Sequence, residues 1–196
     1  MANYLSKTTL EVLAKASKEI IEIRNRVAKL TSIDLLDTDK ISSLLLYEVV
    51  SQYDKNYNIN FSRNGEDAKS NEILIENKTT RVQGPLTKTG KHRKGAGTDA
   101  AFQFHADGDL DHQRYILAAK DKDSLSIVRL YDISSKKNRK IILDHLLSER
   151  LAWHKRCEID SEHRKRDLIL LPETLLIEKL TIAKKFIINN CTIFKD

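Results

Sequence analysis

The order of hydrophobic patterns along the chain limits the possible folds more than any other feature. Helices are predicted where apolar residues recur at helical spacing, over residues 8–30, 39–53, 140–157 and 173–188. Short β-like runs separated by turn-rich pieces lie between the second and third of these helices, over residues 58–62, 72–80, 101–106, 114–119 and 125–131. We therefore expect an α/β (α+β) fold in which a central mixed β-sheet is flanked by helices.

The chain has 196 residues, which suits one domain. We expect an N-terminal helical element over 1–38, a core over 39–135 and C-terminal helices over 136–196. No run approaches the ~18 apolar residues of a membrane helix, and the N-terminus lacks the apolar stretch of a signal peptide. Cys157 and Cys191 fall in separate predicted helical regions and form no metal-binding or disulfide pattern. These features predict a cytoplasmic protein without a membrane partner.

The positive charge of the chain is concentrated in one segment. The formal net charge is +6, and residues 78–98 hold six Lys or Arg and no acid, which accounts for all of it. The same segment holds four of the six glycines and has neither helical nor strand periodicity, so we expect a long basic loop. Such loops suit phosphate contacts, because Lys and Arg displace counterions and Gly lets backbone N–H groups approach an anion.

A carboxylate and a lysine end the apolar strand that precedes this basic loop. Side chains alternate along a strand, so Glu76 and Lys78 are predicted to share one face while Asn77 takes the other. Charges at the end of an apolar strand are costly to bury without partners. A bound divalent cation is one partner that would stabilise them.

Two further carboxylates are candidates for the same site. Asp67 lies nine residues before Glu76, far enough for a turn to bring it alongside. Glu48 falls on the apolar face of the predicted helix 39–53, so it is expected to point inward and to need a partner. Asp67, Glu76 and Glu48 could together bind Mg²⁺, which prefers oxygen ligands and keeps several waters.

The chemistry that these groups suit is hydrolysis of a phosphodiester. A metal ion polarises the phosphoryl oxygen and lowers the pKa of a bound water, while Lys78 would stabilise the developing charge and orient the attacking water. The basic loop begins at Lys78 itself, so phosphate binding and chemistry would be adjacent.

Asp67 followed by Glu76-Asn77-Lys78 resembles the PD-(D/E)xK nuclease superfamily, which includes many type II restriction endonucleases. The resemblance covers about residues 40–132. It implies a restriction-endonuclease-like fold, Asp67 and Glu76 as Mg²⁺ ligands, Lys78 as the catalytic lysine and Glu48 as the helical glutamate. One departure is that Glu66, rather than proline, precedes the first acid, so Glu66 competes with Asp67 for that role.

This resemblance predicts a Mg²⁺-dependent endonuclease that cuts double-stranded DNA at a short specific sequence. Such an enzyme is expected to act as a homodimer whose two-fold symmetry matches a palindromic site. Phosphate or base contacts are assigned to side chains in or beside the basic loop, namely Arg81, Gln83, Lys88, Lys91, His92, Arg93 and Lys94.

Several alternatives stay open at this point. In the first, Glu76 and Lys78 form no more than an ion pair at the end of a strand. A repair or junction-resolving nuclease would cut by DNA shape, and a binding module would use the basic loop without cleavage. A histidine-dependent nuclease would use His92, His105 or His112 as general base, but no recognisable pattern supports it.

Overall fold

The computed structural model describes residues 5–31, 39–60, 67–82, 100–121, 126–160, 162 and 167–196. Within them the helices are α1 (Lys7–Thr31), α2 (Asp39–Val50), α3 (Lys136–Ile159) and α4 (Glu173–Lys179). The strands are β1 (Tyr57–Ile59), β2 (Ala68–Ser70), β3 (Ile73–Arg81), β4 (Ala101–His105), β5 (Arg114–Lys120), β6 (Ile127–Ile133), β7 (Leu168–Pro172), β8 (Lys184–Ile188) and β9 (Cys191–Lys195).

Seven strands form one mixed sheet in the order β1-β2-β3-β5-β6-β9-β8. Strand β3 runs antiparallel to β2 and parallel to β5, and β6 runs parallel to β9, while the other neighbours are antiparallel. Strands β4 and β7 form a separate antiparallel pair. The predicted mixed sheet with flanking helices is therefore confirmed.

The sheet has an apolar layer on each face. Helices α1 and α2 pack on the face that carries Ile75 of β3 and Ile116 of β5, which we call the α1–α2 face. Helices α3 and α4 and the β4–β7 pair pack on the other face, which carries Tyr115 and Leu117 of β5 and which we call the α3 face. Because successive strand residues point to opposite faces, the position of Ile75 decides where its neighbours on β3 point.

Helix α3 is anchored at its first turn. The Ser135 side chain accepts a hydrogen bond from the backbone N–H of Asn138, which satisfies one of the free donors at the helix start. The Asp196 carboxylate accepts from the backbone N–H groups of Ser134, at 2.9 Å, and Ser135. These bonds hold α3 in place over the sheet.

The N-terminal half of the chain follows the predicted pattern closely. Helix α1 buries Leu10, Ala14, Ser17 and Ile21 at spacings of four, three and four, as an amphipathic helix should. Phe102 and Phe104 of β4 are buried in the core of the α3 face, where Trp153 from the C-terminal half is buried as well. Strand β2 is an exception, because the sequence over 63–71 is rich in turn residues and predicts a turn there.

The C-terminal prediction is wrong in part. The helix expected over 173–188 ends at Lys179, and residues 184–188 form β8 instead. Cys191, expected in a helical region, begins β9. Asn189 and Asn190 connect the two strands with φ of 48° and 64°, the left-handed conformation of a tight hairpin turn. Strand β7 was missed as well.

Candidate functional site

The side chains of Glu76 and Lys78 lie together on the α3 face of the sheet. Ile75 belongs to the core of the α1–α2 face, and the Asn77 amide on that same face donates a 2.8 Å hydrogen bond to the Tyr57 hydroxyl. Glu76 and Lys78 therefore point the other way, where the Lys78 ammonium forms an ion pair with Glu76 Oε1. The predicted alternation along β3 is confirmed.

Asp67 joins this pair from the neighbouring chain segment. Strand β2 pairs with β3 only from Ser70↔Ile73 to Ala68↔Ile75, so in the described residues the pairing ends just before Glu76. Beyond that point Asp67 Oδ2 accepts a hydrogen bond from the backbone N–H of Asn77 at 3.0 Å. The same oxygen lies 3.8 Å from Lys78 Nζ.

The electrostatics of this cluster favour a cation. Burial, then the nearby charge of Glu76, raise the pKa of the Asp67 carboxyl, and Lys78 only partly offsets them. Two carboxylates share one ammonium, which leaves one formal negative charge on these three groups at neutral pH. Lys78 Nζ also lies 5.4 Å above the centre of the buried Phe104 ring, so an aromatic face limits where the ammonium can move.

His112 is a further member, which the sequence offered only as one of three candidate general bases. Its Nε2 lies 3.7 Å from Glu76 Oε2, and its side chain is 11% exposed. His112 precedes β5, and β5 pairs in parallel with β3 so that Tyr115 lies opposite Glu76. No local pattern in the sequence gives this pairing, and so the histidine could be weighed only as an isolated candidate.

Glu48 lies outside the cluster. Helix α2 packs on the α1–α2 face, and the Glu48 carboxylate forms an ion pair with Lys18 of α1. No described contact joins Glu48 to Asp67 or Glu76, so its expected role as a third metal ligand stays a prediction that this packing does not favour. Helical periodicity indicated that Glu48 lies on an apolar face and needs a partner, and the partner that the structure describes is Lys18 of the neighbouring helix.

Most of the predicted DNA-contacting side chains lie outside the described residues, namely Gln83, Lys88, Lys91, His92, Arg93 and Lys94. Glu66 lies outside them too. Arg81, the last residue of β3, is partly buried opposite Lys120 of β5. The role of this segment in DNA binding stays a prediction.

His105 and the acidic residues within 107–111 have local hydrogen-bond partners. His105 Nδ1 lies 3.2 Å from the Asp167 carboxylate, beside the β4–β7 pair. Within 107–111, the Asp109 carboxylate accepts from the backbone N–H of Asp111 at 3.1 Å, as in a polar turn. Neither group reaches Lys78 or Glu76 by a described contact.

Two buried charge networks elsewhere were also missed by sequence reasoning. Arg114 donates to both oxygens of Asp132 at 2.7 Å and to Asp54 at 2.6 Å. The fully buried Glu173 accepts from Arg129 at 2.6 Å and from the Tyr131 hydroxyl at 2.7 Å. Every carboxylate in these networks is paired with an arginine, which is how structural charges are normally buried.

The residues of the cluster fit a magnesium ion better than a softer metal. No group of three or more His, Cys, Asp or Glu side chains suited to hold a metal occurs within the described ranges. Mg²⁺ commonly uses one or two protein carboxylates and completes its shell with water and phosphate oxygens. Asp67 and Glu76 supply that pair, and a cation between them would relieve their mutual repulsion.

Comparison of the chain with known protein families, with curated proteins and with solved structures finds no match in any of the three. None of the helices in the described part of the chain has the length and apolar composition of a membrane-spanning segment. The chemistry of the Asp67, Glu76, Lys78 and His112 side chains is therefore the basis for inferring function.

Proposed function

We propose that the protein is a Mg²⁺-dependent endonuclease that hydrolyses phosphodiester bonds of double-stranded DNA. The observation that carries this proposal is that two carboxylates from separate chain segments, Asp67 and Glu76, meet at the single ammonium of Lys78. An ordinary strand-end ion pair needs only one acid, whereas a second acid raises the electrostatic cost unless a cation is bound.

Asp67 and Glu76 would hold the Mg²⁺ ion in this proposal. When bound, the ion supplies charge neutralisation and makes a coordinated water more acidic. Lys78 places a fixed positive charge beside both carboxylates, where it would stabilise the negative charge that builds up on the phosphoryl oxygens and orient the attacking water. Water then adds to phosphorus, one ester P–O bond breaks, and the leaving oxygen takes up a proton.

The basic segment over 78–98 would bind the DNA backbone next to this site. It begins at Lys78 on β3, and the first described residue after it is Ala100, whose backbone N–H donates to the buried Glu173 at 3.1 Å. Arg81, Gln83, Lys88, Lys91, His92, Arg93 and Lys94 are proposed to make phosphate or base contacts. The finer proposal is a type II restriction enzyme of the PD-(D/E)xK class that acts as a cytoplasmic homodimer.

Incubation of the purified protein with a long duplex DNA of known sequence, in Mg²⁺ and in EDTA, tests the proposal. Lys78→Ala is the informative variant, and Lys140→Ala is the matched control because Lys140 pairs only with the exposed Asp144 in its described contacts. We expect discrete fragments that require Mg²⁺ and Lys78 and that persist in the control.

Other outcomes separate the alternatives. Fragments that follow branches or mismatches instead of a base sequence would identify a structure-specific nuclease. DNA that is bound with a steep salt dependence, yet stays intact with Mg²⁺ and Mn²⁺, would contradict the nuclease proposal and identify a binding module.

A further inference from the structure

His112 is held in place by four contacts from three parts of the fold. Its backbone N–H donates to the Tyr115 hydroxyl at 3.2 Å, and its carbonyl accepts from Arg139 of α3 at 2.9 Å. Its Nε2 lies 3.0 Å from the carbonyl oxygen of Asp109, and its ring packs edge-on against Tyr115 at 5.5 Å. A surface histidine would not need this support.

The contact with Asp109 determines which ring nitrogen of His112 carries a hydrogen. A carbonyl oxygen can only accept, so Nε2 must carry the hydrogen of this bond. That assignment holds whether the ring is neutral or charged, because Nε2 is protonated in both forms. The Nε2–H group therefore has two acceptors nearby, the Asp109 carbonyl oxygen at 3.0 Å and Glu76 Oε2 at 3.7 Å.

Glu76 is consequently held from both sides. Lys78 pairs with Oε1, and the Nε2–H group of His112 lies nearest to Oε2. A distance of 3.7 Å is an electrostatic contact rather than a full hydrogen bond. It still disfavours rotation of the Glu76 carboxylate away from the cluster. Such a rotation would move Oε2 away from the N–H edge of the imidazole, which carries partial positive charge.

We propose that His112 is a positioning residue that orients the Glu76 carboxylate for metal binding. This inference rests on the proposed Mg²⁺ site, and it adds a role for α3, whose Arg139 holds the His112 backbone. Residues that orient a metal ligand commonly change metal affinity or activity 10- to 100-fold when they are replaced, because a loosely held ligand loses more freedom on binding.

The test compares His112→Ala, His112→Gln and His112→Asn in Mn²⁺ binding to the DNA-free protein, measured by titration calorimetry. A glutamine amide can place an N–H group near the position of Nε2, whereas asparagine is too short and alanine has no donor. We expect Mn²⁺ affinity to fall about 10-fold or more in the Ala and Asn variants and to stay within about threefold of wild type in Gln. Thermal melts of each variant report whether it is folded.

Three results would overturn the inference: wild-type affinity in His112→Ala, equal losses in His112→Gln and His112→Asn, or no Mn²⁺ binding by the wild-type protein. If His112→Ala does not fold, the difference in Mn²⁺ affinity between His112→Gln and His112→Asn still tests the inference. The cleavage assay is separate from this one. If Mn²⁺ affinity is higher in wild type and His112→Gln than in His112→Asn and His112→Ala but no DNA is cleaved, the nuclease proposal is rejected and the positioning role of His112 is supported.

Discussion

The carboxylate of Asp67 accepts a hydrogen bond from the backbone N–H of Asn77 at 3.0 Å, the residue between Glu76 and Lys78. This bond replaces the strand pairing that β2 would otherwise offer, since β2 pairs with β3 only as far as Ile75. Asp67 thus satisfies a backbone donor and contributes a carboxylate to the cluster with the same side chain. Its place relative to Glu76 and Lys78 is set by the backbone of β3.

Asp67→Asn is expected to stabilise the metal-free protein at neutral pH. The pKa of Asp67 is raised above its usual 3.8, by burial first and by Glu76 second, so the folded state binds a proton more tightly than the unfolded state. The contribution of Asp67 to stability is therefore fully present below pH 3.8 and is lost as pH rises through the folded pKa. Asparagine removes the charge and keeps the acceptor for the Asn77 N–H.

The expected gain is small because the Asp67 side chain is 41% exposed and solvent screens its charge. We expect a rise in Tm of about 1–3 °C at pH 7.5 in EDTA and a smaller one at pH 4. Differential scanning calorimetry measures both, and Asp144→Asn, an exposed carboxylate on α3, is the control. A lower Tm at pH 7.5 would show that the charge of Asp67 stabilises the fold instead.

Lys78→Ala is expected to lower the cleavage rate at least about 100-fold with little change in DNA affinity. The ammonium is close to the proposed reacting phosphate, but it is only one of the six basic residues in 78–98. Single-turnover cleavage and a gel-shift titration in EDTA measure the two quantities on one DNA. A loss of affinity as large as the loss of rate would place Lys78 in DNA binding rather than in the chemistry.

Glu173→Gln is expected to destabilise the protein in a pH-dependent way. Burial tends to raise the pKa of Glu173, but hydrogen bonds from Arg129, Tyr131 and the Ala100 N–H outweigh it, and the pKa is lowered. A lowered pKa stabilises the folded state above the unfolded value of 4.5, and this stability is lost as pH falls through the folded pKa.

The neutral glutamine leaves Arg129 without its charged partner, which costs about 2–3 kcal/mol at pH 7 after allowance for the partial exposure of Arg129. Urea unfolding at pH 7 and at pH 3.5 measures the difference between the variant and wild type. The difference should shrink at the lower pH. A difference that is the same at both values would mean that packing, and not charge, accounts for the loss.

The sequence was most informative where the deciding interactions are local. Strand alternation alone placed Glu76 and Lys78 on one face, because the period of two applies whatever the strand pairs with. The positions and partners of the Glu48 and His112 side chains depend on tertiary packing instead. Helical periodicity cannot tell which face of the sheet a helix covers, and the contact of His112 with Glu76 requires that β3 and β5 be parallel neighbours.

The C-terminal hairpin was missed although a local signal is present. Residues 184–188 and 191–195 are rich in isoleucine, phenylalanine and threonine, and Asn189-Asn190 lies between them. Asparagine tolerates the left-handed region better than most residues, so two in succession between β-type runs favour a two-residue turn. The apolar spacing after Pro172 fits a helix equally well, and only the first seven residues adopt one.

Asn190→Val tests this interpretation of the turn. Asn190 has φ of 64° and is exposed, so its side chain contributes little packing. A β-branched residue in this conformation costs about 1–2 kcal/mol, whereas glycine adopts it freely. We expect urea unfolding to show that loss for Asn190→Val and a much smaller change for Asn190→Gly. Equal losses in both variants would point to a missing side-chain contact.

Glu48→Gln and Glu76→Gln form a matched pair that separates the two glutamates assigned to the site by sequence. Glu48 pairs with Lys18 on the α1–α2 face, while Glu76 pairs with Lys78 on the α3 face. We expect Glu48→Gln to retain the cleavage rate within about twofold and to cost less than about 1 kcal/mol of stability, because Lys18 is more than half exposed.

Glu76→Gln is expected to lower cleavage at least about 100-fold, because a neutral amide binds Mg²⁺ poorly and leaves Asp67 as the one carboxylate partner of Lys78 among the described residues. Both variants replace one carboxylate by an isosteric amide, so any general effect of lost negative charge is shared between them. Initial rates on one duplex substrate at several Mg²⁺ concentrations make the comparison. Equal losses in the two variants would show that Glu48 reaches the metal when DNA is bound, which the packing of α2 against Ile75 and Ile116 argues against.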